Sequence, residues 1–298
     1  MGSLNGQVAL VTGGGRGLGR SVSRALAAEG AAVAIDDIYR DEAGASAAEA
    51  AADEIETAGG QALALAEDVT TSAGAEAMVS RTVEKFGRID ILVNCAGNMV
   101  RGPLQELTEQ QWDSLINLHL KGHFLSCKAA LPHLLAQNSG RIVTVGSRGA
   151  FFQVPANKRE PRDQRKPPST PYSAAKAGIM GLTTTLAVEL WDTGITVNCL
   201  LPSATTQLFP ESKPRMVGGV PASASLDPDD VAPSVVFLCG PDAEDISGKI
   251  VYASGGDLIL YGDQLDIRGS RMIRKQGRWT PEELAAVVPP MLGLPAKA

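Results

Sequence analysis

The chain has 298 residues, 44% of them hydrophobic, and a formal net charge of −6, so it has no basic footprint for nucleic acid. No apolar run approaches the roughly 20 residues that span a bilayer, and the N-terminus lacks the charged and apolar regions of a signal peptide. Cys95, Cys127, Cys199 and Cys239 lie far apart without a CxxC pair, so disulfides are not expected and the cytosol is the simplest compartment.

In chain order, apolar runs of strand length occur at Val8–Val11, Ala32–Ile35, Ala62–Leu65, Ile89–Val93, Arg141–Val145, Ile195–Leu200 and Lys249–Tyr252. They are rich in Val and Ile and do not alternate, as parallel strands buried on both faces require. Between them, Ser21–Glu29, Ala47–Ala58 and Ala75–Phe86 are Ala-rich with helical periodicity. Alternating strands and helices predict an α/β fold: a single-domain doubly wound parallel sheet over residues 1–256, with its crevice at the strands' carboxyl ends.

Three stretches interrupt the rhythm. Gln153–Pro171 is a Pro-rich insertion whose core, Lys158–Lys166, carries five basic and two acidic residues. Leu208–Pro228, rich in Gly, Pro and Ser, reads as a mobile loop. Residues 257–298 form a C-terminal extension, in which Thr280-Pro-Glu-Glu283 opens a helix expected to stop at Pro289-Pro290.

Two motifs carry the chemistry. Thr12-Gly-Gly-Gly-Arg-Gly-Leu-Gly19 follows the first apolar run and opens an amphipathic segment, the strand–turn–helix that cradles a pyrophosphate. Tyr172-Ser-Ala-Ala-Lys176 places a phenol and an ammonium four residues apart, on one helix face. A phenol beside a fixed cation exchanges a proton near neutral pH more readily than an isolated tyrosine. Asp36-Asp37 ends the second run, where a carboxylate accepts the adenosine ribose hydroxyls and repels a 2′-phosphate.

Gly13, Gly17, Gly19, Asp68-Val69, Asn94-Cys-Ala-Gly97, Ser147, Tyr172 with Lys176, Pro202 and Gly255-Gly256 occur in the order of a known pattern. From about Gly6 to Gly256 the chain resembles a classical short-chain dehydrogenase/reductase, with some likeness to multifunctional-type 3-hydroxyacyl-CoA and hydroxysteroid dehydrogenases. The resemblance implies a Rossmann fold that interconverts a secondary alcohol and a ketone with a nicotinamide cofactor. Gly13, Gly15, Arg16, Gly17, Leu18 and Gly19 would form the pyrophosphate loop. Asp37 would select NAD, against which Arg16 could pair with the 2′-phosphate of NADP; NAD is favoured. Asp68 with Val69 would meet the adenine. Asn94, Ala96 and Gly97 would line the adenosine ribose, and Pro202, Thr205 and Thr206 the nicotinamide.

Tyr172 would be the acid/base. Lys176 would lower its pKa and bind the nicotinamide ribose, and Ser147 would hold the substrate oxygen. His119-Leu-Lys-Gly-His-Phe124 stands where the family pattern has Asn-Leu-x-Gly-x-Phe, so His119 takes the place of a water-relay asparagine. Asn117, two residues away on a helix, should point elsewhere. His119 and His123 also have the spacing of a helical metal pair, but no further ligand stands at a diagnostic spacing and no metal is expected. The family pairs through two helices, here Leu115–Leu135 and Tyr172–Leu190, into homodimers or homotetramers. The small-molecule substrate is expected to be bulky or anionic-tailed, a 3-hydroxyacyl thioester or hydroxysteroid. An NADP-dependent ketone reductase and a nucleotide-binding scaffold with little turnover are the alternatives.

Overall fold

A computed structural model describes residues 2–151, 169–210, 216–217, 220–221 and 225–261. Backbone contacts divide the chain between Leu260 and Tyr261, and the first unit holds the fold. The basic core of the insertion and the Thr280 helix start lie outside the described residues.

Strands β1 (Val8–Thr12), β2 (Ala32–Asp36), β3 (Ala62–Leu65), β4 (Ile91–Asn94), β5 (Gly140–Val145) and β6 (Ile195–Pro202) occupy the predicted apolar runs. A short antiparallel pair follows, β7 (Met216–Val217) with β8 (Val220–Pro221), and then β9 (Ile250–Ser254) and β10 (Asp257–Tyr261). The main sheet runs β10-β9-β6-β5-β4-β1-β2-β3. Its members from β3 to β9 are parallel. The order reverses between β1 and β4, so the connections leaving their carboxyl ends diverge and open a crevice.

Both faces of the sheet are covered, which explains why the strands do not alternate. On one face α1 (Gly17–Ala28), α2 (Ala47–Thr57) and α7 (Ala232–Cys239) bury Val22, Leu26, Ile55 and Val235. On the other, α3 (Ser72–Phe86), α5 (Gly122–Gln137) and α6 (Thr170–Glu189) bury Met78, Leu134 and Leu186. A shorter α4 (Glu109–Leu115) precedes α5 and starts in a capping box between Thr108 and Gln111.

Three boundaries depart from the sequence reading. The helix expected over Leu115–Leu135 is interrupted by a π-helical stretch, Ile116–Lys121, that carries His119. The expected insertion ends earlier than Pro171: Ser169 caps α6 by accepting the Tyr172 N–H, and Pro171 sits in its first turn, where a missing N–H costs nothing. The sheet also continues past Gly256, because Gly255 (φ 51°) lets the chain turn back into β10 beside β9.

Thr12 ties two strand ends together. Its buried hydroxyl oxygen accepts the N–H groups of Cys95 (3.1 Å) and Ala96 (3.2 Å), fixing the turn after β4 against β1. Thr12→Val keeps the shape and removes the acceptor, so it should lower unfolding free energy by about 1–3 kcal/mol, read from the midpoint shift in urea.

Candidate active site

A cleft of about 960 Å³ opens at the carboxyl ends of the strands. Its floor at one end is the loop between β1 and α1. A Cβ on Gly13 would stand 2.7 Å from Ala96 Cα, and one on Gly19 2.0 Å from the Gly13 carbonyl oxygen. Only hydrogen fits at either position, which lets two backbone segments close up and leaves the loop surface bare. Arg16, before the first turn of α1, makes no side-chain cap. The early N–H groups of α1 are therefore left for an anion. This bare cradle fits a dinucleotide pyrophosphate.

Most of the residues expected to hold that ligand line the cleft: Gly13, Arg16, Gly17, Leu18, Gly19, Asp37, Asp68, Val69, Ala96, Gly97, Pro202 and Thr206. Three do not. Gly15 is pressed against Ala47 at the start of α2, and its N–H donates to Asp37 Oδ2 (3.2 Å). Asn94 is buried inside the sheet, with its amide toward the Cys127 sulfur. Thr205 is exposed and donates its N–H to the Leu226 carbonyl. The first two act behind the surface, holding the loop and the strand end.

The end of the cleft beside β2 and β3 is acidic. Asp37 accepts N–H groups from Gly15 and from Tyr39 (3.0 Å), and Asp36 accepts that of Glu67 (2.8 Å). Burial, with Glu67, Asp37 and Asp68 nearby, pushes Asp36 up to about 7. Arg16 stands beside these carboxylates. Its guanidinium lies 3.6 Å over the Tyr39 ring, and its Nε is 3.7 Å from Asp37, so it is held by the carboxylate beside it.

The other end is formed by β5, α6 and the π-helical stretch. Ser147, Tyr172, Lys176 and His119 all line it. Ser147 is near enough to the Tyr172 phenol to work against the burial that raises its pKa. Lys176 is buried, and its ammonium donates to the Val145 carbonyl oxygen (2.6 Å) at the end of β5. Burial pulls that ammonium down to about 8. The expectation that Lys176 lowers the Tyr172 pKa is not met: the phenol is raised by burial, opposed by Ser147 and by Arg101. The ammonium donates to Val145 and lies 5.6 Å from the phenol ring centroid, so it is turned to the backbone rather than to the phenol oxygen.

His119 is fully buried, and its ring meets Tyr172 edge-on at 5.2 Å. Nε2 faces the Asn98 carbonyl oxygen at 2.8 Å and its N–H at 3.2 Å. The shorter contact assigns the proton to Nε2, which leaves Nδ1 as a buried acceptor without a partner among the described residues. Burial and the Lys176 charge drop His119 to about 3 and push His123 well down too, so both rings are neutral. No third His, Cys, Asp or Glu groups with them among the described residues. Gly97 is required here, since a Cβ would lie 2.6 Å from His119 Cε1. Asn117, expected to point away, lines the same cleft; π-helical winding changes which residues share a face.

Sequence reasoning missed several neighbours. Phe209 stands 6.2 Å from the Tyr172 ring, Gln207 reaches Gly17, and Arg101 lies over Phe209. No spacing in the sequence joins these loops.

A family profile described as short chain dehydrogenase matches residues 7–215. The (2S)-[(R)-hydroxy(phenyl)methyl]succinyl-CoA dehydrogenase subunit BbsD of Thauera aromatica is 36% identical over 264 residues, 87% of this chain and 99% of that protein. The 3-oxoacyl-[acyl-carrier-protein] reductase FabG of Staphylococcus aureus is 35% identical over 253 residues, 83% of this chain and 96% of the relative. Among solved structures, a short chain dehydrogenase from Mycobacterium avium matches all of this chain and 98% of its own, with TM-score 0.81 and 34% identity. One from Burkholderia cenocepacia in complex with NADP matches 85% of this chain and 98% of its own, with TM-score 0.70 and 32% identity.

Asp36 makes stability fall with pH. Its folded pKa is near 7 against 3.8 when exposed, so the folded state holds the extra proton between those values and stability is lost as pH rises through them. Asp36→Asn keeps an acceptor for Glu67 and removes the charge. Its melting temperature should match the wild type near pH 4 and exceed it at pH 8, by an amount on the order of 2–4 kcal/mol in stability, measured by calorimetry at both values.

Proposed function

The chain belongs to the short-chain dehydrogenase/reductase family, and on that premise we propose that it is an NAD-dependent oxidoreductase of secondary alcohols and ketones acting on acyl thioesters. One observation carries the reading. The Tyr172–Ser147 pair and the buried Lys176 close one end of a cleft whose other end is a bare glycine loop beside Asp37.

Gly13, Gly17, Gly19 and the α1 N–H groups would hold the pyrophosphate. Asp37 would take the adenosine ribose and Lys176 the nicotinamide ribose. When bound, the nicotinamide ring donates or accepts the hydride. Ser147 hydrogen-bonds the substrate oxygen and orients it toward Tyr172. In ketone reduction Tyr172 gives its proton to that oxygen, and the burial that raises its pKa keeps it protonated at neutral pH. In alcohol oxidation Tyr172 takes the hydroxyl proton, and Ser147 and Arg101, which oppose the effect of burial, favour the phenolate. His119, neutral and packed against the phenol, is a positioning residue whose bare Nδ1 accepts from a relay water.

NAD is favoured because Asp36, Asp37, Glu67 and Asp68 all line the adenosine end, where a 2′-phosphate meets like charge in a partly desolvated site. A second reading, NADP, rests on Arg16 and Arg40 lining the same end and on the relative in complex with NADP. The thioester class follows two relatives, one named for an acyl-CoA and one for an acyl-carrier-protein substrate. We also infer assembly into two or four copies, supported by Phe124 and Leu135 on α5 and Val188 on α6, all exposed.

Initial rates of NAD and NADP reduction with 3-hydroxybutyryl-CoA test the proposal. NAD should give the higher kcat/KM, and Asp37→Ala should narrow or reverse the ratio; a wild type that prefers NADP would remove the NAD assignment. The ratio cancels any general damage from losing the Gly15 contact. Tyr172→Phe should retain cofactor affinity and lose turnover by on the order of 10²–10⁴-fold. Near-normal turnover would remove Tyr172 as the acid/base.

A further inference from the structure

The carboxylates lining the cleft are segregated to one end. All four of its carboxylates, Asp36, Asp37, Glu67 and Asp68, lie where β2 and β3 end, and among the described residues none lines the catalytic end. That end holds the buried Lys176 and Phe209, and Arg101 stands behind Phe209. Arg101 is exposed on the connection between β4 and α4, with its guanidinium 5.7 Å from the Phe209 ring centroid. Phe209 in turn meets Tyr172 at 6.2 Å. Among the described residues Arg16, Arg20, Arg24, Arg81 and Arg88 each pair with a carboxylate, whereas Arg101, like Arg40, Arg141 and Arg148, pairs with none.

An arginine beside an aromatic residue of the cleft wall, and without a carboxylate partner among the described residues, has a planar fork to offer a ligand anion. The guanidinium lies 5.7 Å from the Phe209 ring centroid, and a guanidinium takes a carboxylate through two parallel hydrogen bonds. The charge also reaches the reacting centre, since it works against the burial that raises the Tyr172 pKa. Position sets the size of the ligand group. Arg101 stands one aromatic ring from the phenol that touches the reacting oxygen, so its partner belongs to a substituent near the reacting carbon. The phosphates of a coenzyme A thioester lie a whole pantetheine arm farther out.

We propose that Arg101 is a specificity-determining residue that binds a carboxylate carried by the substrate close to the carbon undergoing oxidation or reduction. The proposal rests on the alcohol/ketone reading and narrows it to acids, here an acyl chain bearing a second, free carboxylate.

Calorimetric titration of the NADH-loaded protein with 4-oxopentanoate and with its methyl ester tests this, because the pair differs only in the charge. The wild type should bind the acid more tightly than the ester by about 10- to 100-fold, the worth of one charge-assisted pair. Arg101→Gln should bring the two to within about threefold, and Arg101→Lys, which keeps the charge without the fork, should fall between. Arg101 is exposed, so these variants should fold, and an unchanged far-ultraviolet spectrum checks that they do. Equal binding of acid and ester by the wild type, or an undiminished preference in Arg101→Gln, would overturn the proposal. So would an Arg101→Gln protein that loses affinity for free coenzyme A and keeps its preference for the acid. NADH oxidation recorded with the same ketones separates this claim from its premise: carboxylate preference without turnover supports the anion site and removes the redox reading.

Discussion

The site is organised around a buried ammonium that no carboxylate among the described residues neutralises. Lys176 donates to the Val145 carbonyl oxygen, and that bond joins α6 to the end of β5. Its surroundings are thiols and neutral rings, Cys95, Cys199 and Tyr172. A buried cation without an ion pair carries a large desolvation cost, and the outcome is a pKa pulled down to about 8. The charge it retains at neutral pH then acts on everything nearby. It helps to hold His119 and His123 neutral, which suits hydrogen bonding and packing better than charge. The helix geometry that fixes the ammonium also fixes Tyr172, one turn earlier on the same face.

The sheet makes that arrangement possible. Parallel strands send every carboxyl end to one edge, and the reversal of strand order between β1 and β4 opens the crevice there. Thr12 at the end of β1 holds the turn after β4. Asp37 just beyond β2 holds the glycine loop, and Val145 at the end of β5 holds Lys176. Each strand terminus thus supports the residue beside it as well as contributing one of its own. The acidic end of the cleft and the end that holds Lys176 are consequences of which strands end where.

The architecture was legible because its signals are local. Apolar runs of strand length, Ala-rich helical segments and two spaced motifs each report on a few consecutive residues, and the structure places them as one α/β sheet with a shared cleft. The placement of Tyr172, Lys176 and Ser147 followed, since i,i+4 spacing and a strand end are one-dimensional facts. What stayed hidden depends on contacts between distant loops. Nothing in the sequence joins Arg101 to Phe209, or shows that Arg16 would be pinned by Tyr39 and Asp37. The π-helical stretch defeated the face argument for Asn117, because that argument assumes regular α-helical winding. The environment of Tyr172 was misjudged for a related reason: spacing shows that a cation is near, while burial, which wins here, is a property of the whole fold.

The unpaired state of Lys176 is the claim on which the electrostatic account stands, and nuclear magnetic resonance of the protein labelled with ¹³C at lysine Cε measures it directly. One resonance, absent from Lys176→Arg, should titrate with a midpoint near pH 8. If every lysine resonance instead titrates near the unperturbed value of about 10.4, the ammonium is solvated or paired and the account is contradicted.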